Sequence, residues 1–325
     1  MATALLERSG NLPIIAAFMS PDPITPVPST EVLLPHFSRI QKVHVNAPRK
    51  QLVEFLSNLC GHSSILEAVE LQCSFAGDQY SGVVDGNGEV ADPLGEGFKL
   101  PPMLRDALSL KFLRVTQLSF SNRFLVLNHL THLEVSYDVG EAEDYLALMS
   151  ANPMLEVVII HGTGDWELAG IFPRTVSLPH LRRMEFYHMD VLGILRTLIS
   201  PAGTHLSACA CPRGYVIPPS NNLPNISTLT KLQFTFPERG RRPARIVHGY
   251  GPNGTFLLTD DLHRLSLGIR DVPVKSVEEL SISFTDTVTN GISALNFDNL
   301  SLRHTFFPFT RLRMSEKSFG DYHVL

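Results

Sequence analysis

Histidine and cysteine are the residues of this sequence whose side chains could most readily bind a metal. His205, Cys209 and Cys211 lie close together, and imidazole and thiolate are ligands that suit zinc. However, the cluster has one C-x-C and no second pair. Leu206, Cys209 and Cys211 also fit the apolar register of a strand, which favours buried structural cysteines. We therefore expect no metal and no other cofactor.

The other motifs that could carry chemistry are incomplete. Asp85 to Glu89 reads D-G-N-G-E, but the ligand spacing of a calcium loop and its bidentate glutamate are absent. The sequence contains no G-x-S-x-G elbow, no P-loop and no H-E-x-x-H. Arg239 to Arg245 could contact an acidic partner, phosphate or RNA, although a solvated loop is favoured in a net acidic chain. The sequence therefore predicts that the protein is not an enzyme.

Composition narrows the class of protein further. The chain has 325 residues, 44% of them apolar, which is enough for a continuous core. Lys and Arg number 27 against 32 Asp and Glu, so no basic footprint for nucleic acid exists. Four cysteines are too few for a disulfide framework, and no apolar stretch approaches the length of a membrane span. We expect a monomer that is cytoplasmic or nuclear, not secreted, and bound to neither nucleic acid nor membrane.

A short repeat organises the sequence. Segments 127–135 and 178–186 both read L-x-x-L-x-x-L-x-L in apolar classes. The last two apolar positions recur along the chain, often 25 or 26 residues apart, which lies within the 20–29 residue range of leucine-rich repeats. These pairs begin at Val43, Val69, Leu118, Leu133, Val158, Met184, Leu232, Leu265 and Leu280, with weaker pairs at Cys209, Leu295 and Leu312.

Each apolar pair predicts a strand that buries alternate side chains and cannot hide its face alone. Parallel stacking of such strands, with the chain returning through helices or loops, buries all the faces in one core. Amphipathic or capped helical returns are predicted at 48–59, 141–150 and 191–199. The predicted fold class is therefore α/β, a leucine-rich-repeat-like solenoid with a curved parallel sheet and with helices and loops on the convex side.

The predicted organisation is one elongated domain. Residues 1–30 form an entry segment or cap, residues 31–315 the solenoid, and residues 316–325 a tail. The Gly-rich stretch near 76–100 and the Arg- and Gly-rich stretch near 237–256 interrupt the repeat and are predicted as mobile insertions. Beyond Leu265 the intervals fall to 15–17 residues, which indicates strands joined by tight turns or a decayed cap.

Two stretches resemble a known family. Leu5 to Pro13, L-L-E-R-S-G-N-L-P, resembles the L-L-x-R-S-G-N-x-P-L segment that opens the repeat region of fungal, basidiomycete-type F-box proteins. Segments 34–45 and 64–71 are similar to the first repeat pair of the same proteins. The resemblance covers nearly all of residues 5–236 and becomes vague beyond. It implies the substrate-recognition part of a Skp–cullin–F-box ubiquitin ligase, in which the repeats hold the target protein.

The sequence departs from that family at the F-box, which should precede residue 5 and has no copy within the chain. We therefore expect the Skp adaptor to bind only if upstream sequence supplies an F-box. A truncated gene model, a shortened paralogue and a target-binding module that works without the ligase all stay open.

The residues that would hold a target are the strand positions between the buried ones, because alternation directs them to the concave face. This row is polar, mixed in charge and contains an aromatic anchor, which suits a protein ligand more than a small molecule. The predicted partner-binding residues are Lys42, His44, Glu70, Gln72, Gln117, Ser119, His132, Glu134, Ser136, Arg183, Glu185, Tyr187, Lys231 and Gln233.

Two alternatives to an interaction module stay open. An α/β enzyme or small-ligand-binding protein would cluster polar residues at the carboxyl ends of its strands and carry one deep pocket. A truncated product without function would fit the short C-terminal intervals.

Overall fold

The computed structural model divides the chain into two compact units, Met1–Thr163 and Gly164–Leu325, which we call the N-terminal and C-terminal units. The sequence predicts one domain over 31–315 and gives no sign of this boundary. The structure describes residues 6–19, 32–58, 63–74, 104, 107–117, 127–138, 142–162, 175–187, 192–209, 230–236, 244–252, 254–261, 278–284 and 311–316. The expected insertion at 76–100 and nearly all of the expected tail lie outside these residues.

The N-terminal unit is a parallel sheet whose strands lie side by side in chain order. A 3-10 helix, Leu34–Arg39, leads into the second strand. The strands are β1 Ile14–Met19, β2 Ile40–Ala47, β3 Ala68–Cys73, β4 Phe112–Thr116, β5 His132–Asp138 and β6 Val157–Gly162. The helices are α1 Arg49–Asn58, after β2, and α2 Ala142–Ala151, after β5.

Alternation along these strands places apolar side chains inward and polar ones outward, as expected of a sheet with one packed face. Val43, Val69, Leu133 and Val158, which the repeat predicts on neighbouring strands, occupy one register across β2, β3, β5 and β6. All four are at most 2% exposed. The predicted strands at these four positions are therefore confirmed.

The strand predicted at Leu118 is wrong in its register. The strand between β3 and β5 is β4, in which Leu113 pairs with Val69 and Leu133. Ala107 and Leu110 are buried ahead of β4, so this segment supplies every apolar position of the repeat, whereas Leu118 lies outside the described residues.

A tight turn precedes several of these strands. The N–H of its fourth residue donates a hydrogen bond to the carbonyl of its first, and the fourth residue is buried beneath the sheet. The residue after the turn donates its N–H to the carbonyl of a residue at or just before the start of the preceding strand, as Glu67 does to Gln41 and Glu156 to Thr131, both at 2.8 Å. The L-x-x-L part of the repeat is thus a stacked turn. Its instances in the N-terminal unit include Ser63–Leu66, Ala107–Leu110 and Asn152–Leu155.

Arg39, at the end of the 3-10 helix, binds the entry segment. Its Nε and Nη2 donate to the carbonyl of Leu12 at 3.1 and 3.0 Å, and Nη1 donates to the carbonyl of Leu6 at 3.4 Å. Nη2 also donates to Ser9 Oγ, which donates in turn to the Leu6 carbonyl at 2.7 Å. Gly10 has a φ of +55°, a left-handed conformation that glycine adopts without strain. The Ser-Gly pair of the opening motif therefore has a structural role.

The C-terminal unit contains a second sheet segment with the strand order β8-β10-β13-β12-β11-β14-β15, and a separate parallel pair, β7 and β9. Its one helix among the described residues is α3 Leu192–Thr197. The strands are β7 Val176–Ser177, β8 Arg183–Tyr187, β9 Leu198–Ile199, β10 His205–Cys209, β11 Lys231–Phe236, β12 Ala244–Gly251, β13 Gly254–Asp261, β14 Glu279–Phe284 and β15 Arg311–Glu316.

The repeat register of the C-terminal unit is partly as predicted. Leu232, Leu280 and Leu312 pair in one parallel register across β11, β14 and β15, which confirms these strand positions. The register chosen at Cys209 is wrong, because Leu206 pairs with Met184 and Cys209 pairs with Tyr187. The predicted pairs at Leu265 and Leu295 lie outside the described residues.

The expected insertion over 237–256 is largely a β-hairpin. Strands β12 and β13 are antiparallel, and Gly251 at the end of β12 pairs with Gly254 at the start of β13. Gly254 has a φ of +127°, a conformation open to glycine but not to most residues. Because β13 pairs with β10 and β12 pairs with β11, the hairpin separates two strands that the repeat predicts as neighbours.

The described residues therefore form an α/β protein with mostly parallel strand pairing and few helices. None of their helices is both long and apolar enough to cross a membrane.

Candidate functional site

Four side chains form a row across the exposed face of the N-terminal unit. His44, Glu70, Arg114 and Glu134 occupy paired positions on β2, β3, β4 and β5. Neighbouring strands lie about 4.8 Å apart, so side chains at paired positions can contact each other directly. We call these four residues the charged row.

The charged row is held by ion pairs that link each residue to the next. His44 Nδ1 lies 3.1 Å from Glu70 Oε2, and Arg114 Nη1 lies 3.2 Å from the same oxygen. Arg114 Nη2 donates to Glu134 Oε2 at 2.7 Å. These side chains are between 23% and 41% exposed, so solvent screens the pairs and a partner can reach them.

Arg114 is the centre of this row. Its hydrogen bond to Glu134 raises the pKa of the Arg114 guanidinium above its ordinary value, in spite of the opposing effect of partial burial, and the charges of Glu134 and Glu70 act in the same direction. The guanidinium carbon also lies 5.6 Å from the centre of the Phe112 ring, a cation–π distance. His132 lies beside that ring, with the centroids 5.9 Å apart.

A second polar cluster lies in the C-terminal unit around Glu185. Arg183 Nε donates to Glu185 Oε1 at 2.8 Å, and the Tyr187 hydroxyl donates to Oε2 at 3.0 Å. Burial by itself would raise the pKa of Glu185, but the hydrogen bonds from Arg183 and Tyr187 and the nearby charges outweigh it and lower the pKa. Glu185 is therefore an ionised carboxylate that is only 7% exposed.

Two histidines extend the Glu185 cluster. His205 Nε2 lies 3.8 Å from Glu185 Oε1, and His205 Nδ1 lies 2.6 Å from Thr255 Oγ1. His248 Nδ1 lies 3.1 Å from the hydroxyl of Tyr250. Burial lowers the pKa of His248, and the charge of His205 lowers it further. Within each of the two clusters, the charged groups contact other groups of the same cluster.

We expect His248 to make the protein less stable as the pH falls below neutrality. Its pKa is lowered in the folded state, so below a histidine's ordinary pKa of about 6.5 the unfolded chain binds a proton that the folded chain does not. The free energy of unfolding should therefore fall from about pH 6.5 down to the lowered pKa. Urea unfolding of wild type and H248Q between pH 7 and 5 measures this, and H248Q should show the shallower slope.

The control for this prediction is H180Q, which removes an exposed imidazole from a turn. Glu185 does not affect this measurement, because its effect on stability falls at lower pH. The pKa of Glu185 is lowered in the folded state, so its contribution to the free energy of unfolding is present above the ordinary carboxyl pKa and is lost as the pH falls through the pKa of the folded state. A wild-type slope that H248Q leaves unchanged would contradict the role of His248.

The structure places the predicted partner-binding residues unequally. Lys42, Gln72 and His132 share the exposed face with the charged row, whereas Ser136 on β5 is only 8% exposed. Gln117 follows β4 with a φ of +59° and donates its N–H to the Ser136 carbonyl. In the C-terminal unit, Arg183 and Tyr187 gather around Glu185, which is buried rather than exposed, and Lys231 and Gln233 lie half-buried on β11. Ser119 lies outside the described residues.

Sequence reasoning missed the residues that complete both clusters. Arg114 and Phe112 were missed because the strand was expected five residues too late. The L-x-x-L-x-L spacing from Leu110 was one available signal, but residues 115–120 fit the same spacing. His248 and Tyr250 were missed because their strand was read as an insertion. The sequence Gly251-Pro-Asn-Gly254, rich in turn-forming residues, was the available signal for that hairpin.

No metal site emerges from the described residues, in which no group of three or more His, Cys, Asp or Glu side chains is placed to hold an ion. Cys211 of the sequence cluster lies outside them. The fold and its surface define an α/β protein with polar clusters on the exposed faces of its strands. No protein-family model matches this chain, and neither the curated proteins nor the solved structures give a match.

Proposed function

We propose that this protein is a non-catalytic protein-interaction module of the leucine-rich-repeat type, and that it holds a target protein on the exposed face of its strands. The charged row carries this proposal. Four side chains from four separate strands meet on an accessible surface, although they come from distant parts of the sequence.

The solenoid part of the proposal is supported by the order of the N-terminal strands. Six parallel strands follow one another in chain order, and turns with buried apolar residues precede three of them, β3, β4 and β6. A repeat that adds one strand and one turn at a time produces this arrangement. A doubly wound α/β enzyme would instead reverse its strand order at the ligand site.

The target-holding role of an F-box protein remains part of the proposal through the opening motif. Arg39 donates hydrogen bonds to the Leu6 and Leu12 carbonyls and to Ser9, so the motif is attached to the folded unit rather than a free tail. These hydrogen bonds support the role that the resemblance implies for the motif, which is to precede the first strands of the repeat region.

Site-directed photo-crosslinking tests the interaction role. We expect Phe112→p-benzoylphenylalanine, which places the crosslinker beside the charged row, to capture one protein from an extract of the cells that make this chain. Excess unmodified chain should compete with the capture. Leu108→p-benzoylphenylalanine is the matched control, because Leu108 is 74% exposed but precedes β4 in a turn.

Capture that is saturable at position 112 and at least about tenfold weaker at position 108 supports a binding face. Equal capture at both positions, or capture that does not saturate, would contradict it. A small molecule retained at one-to-one stoichiometry in native mass spectrometry would instead favour a ligand-binding protein.

A further inference from the structure

We propose that the charged row recognises a basic segment of its partner, one that presents arginine or lysine side chains to Glu70 and Glu134. This inference rests on the proposed interaction function and adds the chemistry of the partner.

The charge of the N-terminal unit is the first argument. Residues 1–163 contain 10 Lys and Arg against 18 Asp and Glu, a formal charge of −8, whereas residues 164–325 contain 17 against 14, a formal charge of +3. The formal charge of −5 for the whole chain is therefore the sum of a strongly acidic N-terminal unit and a slightly basic C-terminal unit. A field of this sign attracts cationic partners and slows the approach of anionic ones.

The pairing within the row is the second argument. Arg114 is shared between Glu70 and Glu134, so one guanidinium serves two carboxylates and one negative charge remains when His44 is neutral. Both hydrogen bonds use the Oε2 atoms. Among the described residues, no group donates a hydrogen bond to Oε1 of either glutamate, and these oxygens can accept from an arriving cation.

The surroundings of the row are the third argument. The Phe112 ring lies half-exposed on the same face, next to His132, and an arginine or lysine side chain can pack its stem or its charge on such a ring. The one exposed lysine on β2, Lys42, lies at the side of the face nearest the start of the chain. A basic segment that crosses β3 to β5 therefore meets carboxylates and an aromatic ring.

Fluorescence anisotropy with three labelled nine-residue peptides tests the inference on the full chain. The first peptide alternates arginine with serine, the second has citrulline in place of arginine, and the third has glutamate. We expect the arginine peptide to bind. The citrulline and glutamate peptides should bind at least about tenfold more weakly, because they lack the positive charge.

Three variants locate the binding. E70Q/E134Q keeps the side-chain shape and should weaken the arginine peptide at least about tenfold. E7Q/E54Q removes the same charge from two exposed positions off this face and should change binding less than about twofold. R114Q frees both carboxylates and should tighten binding of the arginine peptide, whereas an acidic partner would lose affinity.

Equal weakening by E70Q/E134Q and E7Q/E54Q would overturn the site, since it would show only general attraction to an acidic unit. Tighter binding of the glutamate peptide, or weaker binding of the arginine peptide by R114Q, would overturn the charge of the partner. Position-specific crosslinking at Phe112 together with no binding of the arginine peptide would leave the interaction role standing and reject the basic segment. Circular dichroism shows that each variant is folded.

Discussion

Replacing Asn152 with alanine should destabilise the N-terminal unit by about 3–5 kcal/mol, a large share of the stability of a typical domain. Asn152 is fully buried at the end of α2. Its Oδ1 accepts the N–H of Leu130, and its Nδ2 donates to the carbonyls of Leu127 and Leu148, all at 2.8 Å. Alanine would leave one donor and two acceptors buried without partners, and each costs about 1–3 kcal/mol.

The same side chain links α2 to the segment ahead of β5. Leu148 belongs to the last turn of α2, where helix carbonyls lack partners within the helix, and Leu127 and Leu130 lie in that segment. N152D should be similarly damaging, because a carboxylate cannot donate to the two carbonyls and would be a buried charge.

Urea unfolding measures the free energy of unfolding, and hydrogen exchange of the Leu130 amide reports the hydrogen bond to Asn152 itself. The control is N128A, since Asn128 lies in the same segment but is exposed, and its cost should stay within about 0.5 kcal/mol. A cost below about 1 kcal/mol for N152A would mean that water or a shifted backbone replaces all three hydrogen bonds.

The N-terminal strands could be predicted from the sequence because the apolar residues before each strand and those within it are buried in the same core. Leu130, Leu133 and Val135 point to the same core, so the L-x-x-L-x-L spacing defines both the turn and the buried face. Polar residues at the alternate positions then follow, which is how His44 and Glu134 could be predicted as face residues. Asn152 carries no comparable signal, because a buried asparagine is recognised only by the carbonyls that surround it.

The errors have physical causes that the apolar pattern does not contain. The register that ends at Leu118 and Phe120 fits all four apolar positions of the repeat, as the register of Leu113 and Val115 does. Only the turn of Ala107–Leu110 in the structure distinguishes the two. This error removed Arg114 from the site, since a shift in register replaces every residue on the face. The pattern also assumes one strand per repeat, so it had no place for the β12–β13 hairpin.

Phe55→Ala should cost about 3–5 kcal/mol, near the upper end of the range for a replacement in the hydrophobic core. Phe55 is 2% exposed on α1, between the buried Leu52 and Leu56. Its ring lies 4.5 Å from that of Phe18 on β1, at an interplanar angle of 55°. Alanine would leave a cavity beneath β1 and β2, because a helix and two strands cannot all move inward to fill it.

The Phe18–Phe55 contact also tests whether the entry segment belongs to the folded unit. If β1 is an integral strand, F18A and F55A should not be additive, and a double-mutant cycle should give a coupling of about 0.5–1.5 kcal/mol, the usual value of an aromatic pair. E54A, at the neighbouring exposed position of α1, should cost less than about 0.5 kcal/mol. If the free-energy costs of F18A and F55A are additive, the two rings do not stabilise each other, and β1 is not held to the unit through α1. In that case the Leu5–Pro13 motif would open a strand that is independent of the repeats rather than their first member.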